Sequence, residues 1–173
     1  MTAGARAAIP AAPSEATALE FREAMRQLAG GVSIVTMGCG AMRTGLTATS
    51  VTSLSAEPPS LLVCINRTSS ALLTLRESKS FAVNILSHHQ QDMADRFAGR
   101  SGAFGAARYE GAEWENLTTG TPVLVEALAN LDCRVEKITE WHSHAIVIGQ
   151  VVAIRTSGGQ SPLVYWRGGY AGL

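Results

Sequence analysis

The chain has 173 residues, enough for one domain with a proper core and hardly for two. Its 14 basic and 14 acidic residues cancel, so the composition offers no surface for a polyanion, and nucleic acid is not an expected partner. Charged residues reach only 16% while hydrophobic ones reach 46%, which predicts that part of the exterior is covered by a second copy of the chain, a homodimer.

Cys39, Cys64 and Cys133 lie far apart with no CxxC spacing. That pattern fits a reducing compartment without structural disulfides, hence a cytoplasmic protein. No stretch approaches the ~20 apolar residues of a membrane span. Met1 to Pro13 is Ala-rich and lacks the Leu-rich run of a signal peptide. Residues 1–16 therefore read as a loose leader and 17–173 as the folded domain.

Thr17 to Glu20 has capping-box spacing and predicts a helix. Phe21, Met25 and Leu28 fall on one face of it, and Gly30 and Gly31 stop it. Val32 to Met37 reads as a strand, followed by a turn at Gly38 to Gly40 and a second strand from Thr44 to Leu54. Pro58 and Pro59 break the chain before Leu61 to Ile65, a short apolar run with the look of a fully buried strand. Ser69 or Ser70 caps a short helix reaching Glu77, and Phe81 to Leu86 is again a strand. Ser87 to Gln90 repeats the capping-box spacing and predicts a helix to about Phe97.

Ser101 to Gly120 turns rich in Gly, Ala and Thr and reads as a long surface excursion. Pro122 to Glu140 and Ala145 to Thr156 are strands flanking Trp141 to His144, and Ser157 to Pro162 leads into a last strand, Leu163 to Arg167. Many short strands, few helices and no βαβ alternation predict a mainly β fold of the α+β kind: a closed antiparallel barrel with peripheral helices.

The densest polar segment is Gly45 to Ser50, with Ser53 and Ser55 following. Hydroxyls interleaved with small residues let backbone N–H groups approach a flat polar ligand, although a Thr-rich strand has the same composition. Asn66 to Ser70 runs from a buried strand into a helix start, where free N–H groups and the helix dipole favour phosphate; a plain Ser cap is the alternative. Arg96, Arg100 and Arg108 are either scattered surface cations or phosphate contacts. His142 and His144 would share a face of a strand, but no third ligand stands at metal spacing, so no metal is expected. No nucleophile elbow, P-loop or GxGxxG occurs, and no third glycine or helix follows Gly38 to Gly40. From the residues themselves the chemistry extends to a polar pocket with an anion site.

Taken jointly, the motifs resemble those of the short-chain flavin reductase family, which folds as an FMN-binding split barrel. They are Leu28 to Val32 with Val35 and Thr36, Gly45 to Ser50, Ser53 to Ser55 with Pro58 and Pro59, and Cys64 to Asn66 with Ser69 and Ser70. Phe81 to Asn84, Arg96 to Gly99, His144 before Gly149, and Pro162 to Tyr170 complete the set, so that it runs from about Phe21 to Gly172.

The resemblance implies a homodimer with a flavin near each subunit boundary, FMN or else FAD, reduced by NADH or NADPH. It implies that Thr47, Ala48, Thr49, Ser50, Ser53, Leu54 and Ser55 line the ring and ribityl chain. Cys64, Ile65, Asn66, Ser69 and Ser70 would meet the ribityl and phosphate end, and Asn84, Arg96 and Phe97 complete the cofactor set. His144, with a catalytic role, and Tyr165, Arg167 and Tyr170 correspond to positions near the nicotinamide dinucleotide. Many relatives carry an acidic residue directly before the late histidine; here Ser143 stands there. Most members pass reduced flavin to a partner monooxygenase, as in 4-hydroxyphenylacetate 3-monooxygenase. One branch instead reduces a corrin, cob(II)yrinic acid a,c-diamide, in cobalamin synthesis. A non-enzymatic flavin-binding module on the same barrel is the reading from another class.

Overall fold

The structure, a computed structural model, describes residues 15–172. The leader expected at 1–16 falls almost wholly outside them. Thr17 opens α1 (Ala18–Met25) with the expected capping box. Its hydroxyl accepts from the Glu20 N–H at 3.2 Å, and the Glu20 carboxylate accepts from the Thr17 N–H at 2.8 Å. Among the described residues the apolar face of this helix finds no core: Phe21 and Met25, with Leu28 just beyond its end, are 61%, 45% and 66% exposed.

The strands are β1 (Gly30–Gly31), β2 (Ser33–Met37), β3 (Thr44–Ala48), β4 (Thr52–Ala56), β5 (Pro59–Asn66) and β6 (Ser80–Ile85). Then come β7 (Trp114–Asn116), β8 (Pro122–Leu124), β9 (Ala129–Trp141), β10 (His144–Thr156), β11 (Leu163–Trp166) and β12 (Gly169–Gly172). Helices α2 (Ser70–Ser78) and α3 (Gln91–Phe97) complete the set with three short 3₁₀ turns. Seven strands pair antiparallel in the order β3-β2-β6-β9-β10-β5-β4. The two edge strands, β3 and β4, are consecutive in the chain and separated only by Thr49, Ser50 and Val51. The sheet must therefore curl until its edges meet, which gives an antiparallel split β-barrel with peripheral helices.

Strand β2, expected within Val32 to Met37, is buried on both faces. Val35 and Met37 point into the barrel with Val63, Ile65, Phe81, Val83 and Val147, while Ile34 faces an outer cluster with Leu86, Phe97 and Leu163. Helix α2 plugs the barrel through Ala71, Leu72 and Leu75.

Several expected elements take a different form. Thr44 to Leu54 is not one strand; it bends at Thr49 to Val51, because β3 and β4 pair with different neighbours. Pro122 to Glu140 divides into β8, which pairs with β7, and β9, which pairs with β6 and β10. The second capping box forms, but it opens a 3₁₀ turn at His88–Gln90 that leads into α3. The excursion from Ser101 to Gly120 is not purely superficial. It carries Tyr109 and Trp114, whose rings pack at 4.6 Å from each other and at 5.2 and 5.7 Å from Phe97. His142 is not in a strand: it sits at φ 50° in the two-residue turn joining β9 to β10, so the same-face geometry with His144 does not arise.

Candidate functional site

The corner between β3 and β4 carries the first group of expected site residues. The Thr47 hydroxyl donates to the Ala94 carbonyl at 2.6 Å and ties β3 to α3. Ala48 is buried in the barrel wall. Thr49 lies against β1: a Cβ at Gly30 would come within 3.1 Å of the Thr49 Cβ, so glycine allows the approach without Thr49 giving way. The Ser50 hydroxyl crosses the split, donating to the Cys64 carbonyl at 3.0 Å and accepting from its N–H at 3.2 Å.

Two residues beyond Cys64, Asn66 faces His144 across the β5–β10 ladder. Its side-chain oxygen accepts from the Thr68 N–H at 3.0 Å and from the Thr68 hydroxyl at 2.9 Å, which shapes the loop into α2. Ser69 stands at the N-cap of α2 with its hydroxyl making no capping bond. The Ser143 hydroxyl and His144 Nδ1 are 2.9 Å apart, so the serine in the position of an acidic residue still orients the imidazole.

At the other end of this rim, Gly30 pairs with Tyr165, and Tyr165 packs edge-on against Tyr170 with centroids 5.3 Å apart. Burial pushes the Tyr170 hydroxyl above the ordinary phenol range. The Tyr170–Tyr165 packing, the pairing of Tyr165 with Gly30 beside Thr49, the Ser50–Cys64 hydrogen bonds and the Asn66–His144 pair, linked by the chain between them, lay these residues along one rim.

The remaining expected residues are held elsewhere. Ile65 and Phe97 are core residues, and Asn84 is fully buried with its amide committed to Ile34, Leu124 and Asn130. Arg96 donates to the Glu110 carbonyl. Ser55 closes a local turn with Glu57, and Ser53 and Leu54 are exposed on the edge strand β4. Arg167 stacks on Trp166 at 4.4 Å and donates to Gln27 Oε1 at 2.9 and 3.1 Å, facing the end of α1.

Two clefts flank the start of α2. One, of about 250 Å³, is lined by Ser70 and Thr74 of α2, by Arg43 and Thr44, and by Phe104 and Arg108 of the Gly-rich segment. Arg108 donates to the Gly45 carbonyl at 2.6 Å, and the Arg43 guanidinium lies 4.7 Å over the Tyr109 ring with its Nε buried and unpartnered. Among the described residues neither arginine pairs with a carboxylate. Arg43 stands two residues ahead of the Gly45 to Ser50 motif, but its contact with the Tyr109 ring, 66 residues on, has no signal in the sequence. The other cleft, of about 750 Å³, opens between Asn66, Arg67, Thr68, Arg76, Glu140 and the His142–Ser143 turn. Among the described residues no three His, Cys, Asp or Glu side chains converge on a common metal position.

A serine- and threonine-lined split beside a paired-tyrosine wall, with guanidinium groups at a helix start that no carboxylate among the described residues neutralises, suits a flat heterocycle carrying a phosphate. The family of the flavin reductase like domain matches residues 25–173. The chain belongs to that family. It is 42% identical over 158 residues to a protein named FMN reductase (NADH) RutF 2 from Rhizobium rhizogenes, covering 91% of this chain and 90% of that one. Flavin reductase structures superpose closely. BorF, the flavin reductase component of a bacterial two-component tryptophan halogenase, matches with TM-score 0.83 and 30% identity over 91% of this chain and 98% of its own. SgcE6 from Streptomyces globisporus, an NADH:FAD oxidoreductase in complex with NAD and FAD fragments, matches at 0.80 and 26% over 88% and 90%. As a flavin reductase family member the chain is an oxidoreductase.

Proposed function

We propose that this flavin reductase oxidises NADH and reduces FMN held along the rim from Thr49 to His144, with FAD as an accepted alternative. The observation that carries this is the rim from the tyrosine pair through Ser50 and Cys64 to Asn66 and His144, with Arg43 and Arg108 in the separate cleft beside Ser70 at the start of α2. The relatives named FMN reductase (NADH) support the choice of donor and acceptor.

The residues fit the group. Thr49 and Ser50, with Ala48 behind them, present small side chains and backbone to a flat ring. Ser69, Ser70, Arg43 and Arg108 surround the start of α2, where the phosphate end would gain charge-assisted hydrogen bonds. Bound flavin would supply a ring able to accept a hydride and release electrons. His144, fixed in orientation by Ser143, stands on the hairpin over this rim and positions the nicotinamide. A flavin-dependent monooxygenase or similar oxygenase is the proposed recipient of the reduced flavin. The two-component system of the BorF relative supports that choice.

The exposed Phe21 and Met25 of α1, with Leu28 just beyond it, support a homodimer. Light scattering should return twice the monomer mass; a single monomer peak at micromolar concentration would remove the dimer. Three free cysteines suit a cytoplasmic setting. Among the described residues no helix is long and apolar enough to cross a membrane.

NADH consumption by the purified protein should require added flavin and should saturate with FMN. Binding of flavin without turnover would reduce the protein to a binding module. Fast anaerobic transfer to a cob(II)alamin-type acceptor with no release of reduced FMN would move it to the corrin branch.

A further inference from the structure

The larger cleft holds a charge arrangement that the flavin site does not use. Glu140, at the end of β9, is shared between two arginines from different elements. Its Oε2 lies 2.8 Å from Arg67 Nη2, in the loop after β5, and its Oε1 lies 2.6 Å from Arg76 Nη2 on α2. Arg67 also donates to the His142 carbonyl at 3.0 Å, which fixes it to the hairpin turn that precedes His144. Asn66 and Thr68 line the same cleft, so it continues directly from the rim at the Asn66–His144 pair.

We propose that Glu140 makes this cleft discriminate against a dinucleotide bearing a 2′-phosphate, so that the enzyme takes NADH in preference to NADPH. The inference rests on the dinucleotide being bound at this rim. The adenosine end of such a donor is longer than the nicotinamide contact at His144 and needs a further cleft. NADH carries a neutral ribose hydroxyl at the 2′ position, whereas NADPH carries a phosphate of nearly two negative charges at neutral pH. Two guanidinium groups facing one space are a good phosphate clamp, because each can donate two parallel hydrogen bonds. Here Glu140 occupies one terminal nitrogen of each arginine and presents its own negative charge where a phosphate would enter. A hydroxyl meets no such repulsion and can donate to the carboxylate, as acidic residues do for NAD in other folds.

The trio is a poor candidate for a stability device. The side chains of Arg67, Arg76 and Glu140 are 47%, 41% and 45% exposed, and ion pairs that wet contribute little to folding. Removing the carboxylate should leave the fold intact and two cations unsatisfied.

The test uses flavin-saturated full-length protein and the variant Glu140→Gln. The ratio of kcat/KM for NADPH to that for NADH should rise by about 10- to 100-fold, the value of one charge-assisted hydrogen bond, chiefly through the KM for NADPH. Adenosine 2′,5′-bisphosphate, titrated calorimetrically against the holoprotein, should bind the variant more tightly than the unaltered chain by a similar factor. Adding Arg67→Gln and Arg76→Gln to Glu140→Gln should abolish both gains. Glu115→Gln, which breaks the 2.6 Å ion pair with Arg155 instead, should move neither ratio nor affinity. If NADH and NADPH are both oxidised and neither the ratio nor the bisphosphate affinity changes in Glu140→Gln, the proposal is overturned and the function stands. If the unaltered chain oxidises neither dinucleotide with flavin present, the proposed function falls and the proposal falls with it.

Discussion

Asn66 and Asn84 lie on two strands of the same barrel, and the family resemblance placed both against the flavin. The structure treats them in opposite ways. Asn84 lies opposite Ile34 and Asn130 in the middle of the sheet. Its Nδ2 donates to the Ile34 carbonyl at 3.0 Å, and its Oδ1 accepts from the Leu124 N–H and from Asn130 Nδ2, both at 2.8 Å. Arg155 extends the network by donating to Asn130 at 2.9 Å. Asn66 ends an edge-proximal strand, is exposed, and bonds only within its own loop. One asparagine satisfies the backbone of the core; the other shapes a loop that leaves the Ser69 hydroxyl without a capping bond. A polar side chain becomes available for a ligand only where the surrounding ladder does not already claim it.

The largest expected effect follows from that contrast. Asn84→Leu would take its side-chain partner from the Leu124 N–H and from the Ile34 carbonyl in a dry interior, and would leave the Asn130 amide with only the Leu124 carbonyl. Each such group costs about 1–3 kcal/mol, so urea unfolding should show a loss of roughly 3 kcal/mol or more. Flavin affinity per folded molecule should be unchanged if a stable fraction can be measured. A variant as stable as the parent but unable to bind flavin would place Asn84 in the site after all.

On the rim the pattern should invert. The double variant Ser69→Ala, Ser70→Ala should keep the unfolding midpoint and weaken flavin binding by about 1.5–3 kcal/mol per lost charge-assisted bond. Arg43→Gln should act in the same direction. Because a phosphate contact is equal in ground and transition states, kcat at saturating flavin should hold. Normal fluorescence titration with FMN in the double serine variant would separate these hydroxyls from the phosphate.

His144→Ala should raise the KM for NADH or slow flavin reduction while flavin content stays the same. Its ring is oriented by Ser143, on the hairpin proposed to meet the nicotinamide. Loss of flavin from this variant would instead join His144 to the phosphate loop. Chelators should leave turnover unaffected, since the flavin carries the redox chemistry.

The smallest effect concerns the thiols. Burial, with a lesser contribution from Asp132, pushes the Cys133 thiol up to about 12, while Cys39 is exposed. At neutral pH Cys133 is fully protonated and shielded, so alkylation followed by mass spectrometry should modify Cys39 first and spare Cys133 in folded protein. Since the raised thiol pKa reflects a neutral group in both states below about pH 8.5, it adds no pH dependence of stability in that range; above it, unfolding is favoured as the exposed thiol ionises.

Local chemistry was legible in the sequence wherever neighbours in the chain decide it. The Thr17 and Ser87 capping boxes form because each links residues three apart, and the apolar runs of β2, β5 and β6 are strands because no other element buries both faces of so short a segment. The hydroxyl-rich corner at Thr49 and Ser50 and the loop at Asn66 to Ser70 could be singled out for the same reason. What required the tertiary structure was which polar groups remain unspent. Asn84 is consumed by backbone groups 40 and 50 residues away. Arg43 and Arg108 meet only because the Gly-rich segment folds back over β3, and Glu140 binds two arginines 73 and 64 residues away that share no motif with it. Hydrogen-bond and ion-pair partners in a barrel are set by register across strands. Register is a property of the closed sheet, and no window of the sequence contains it.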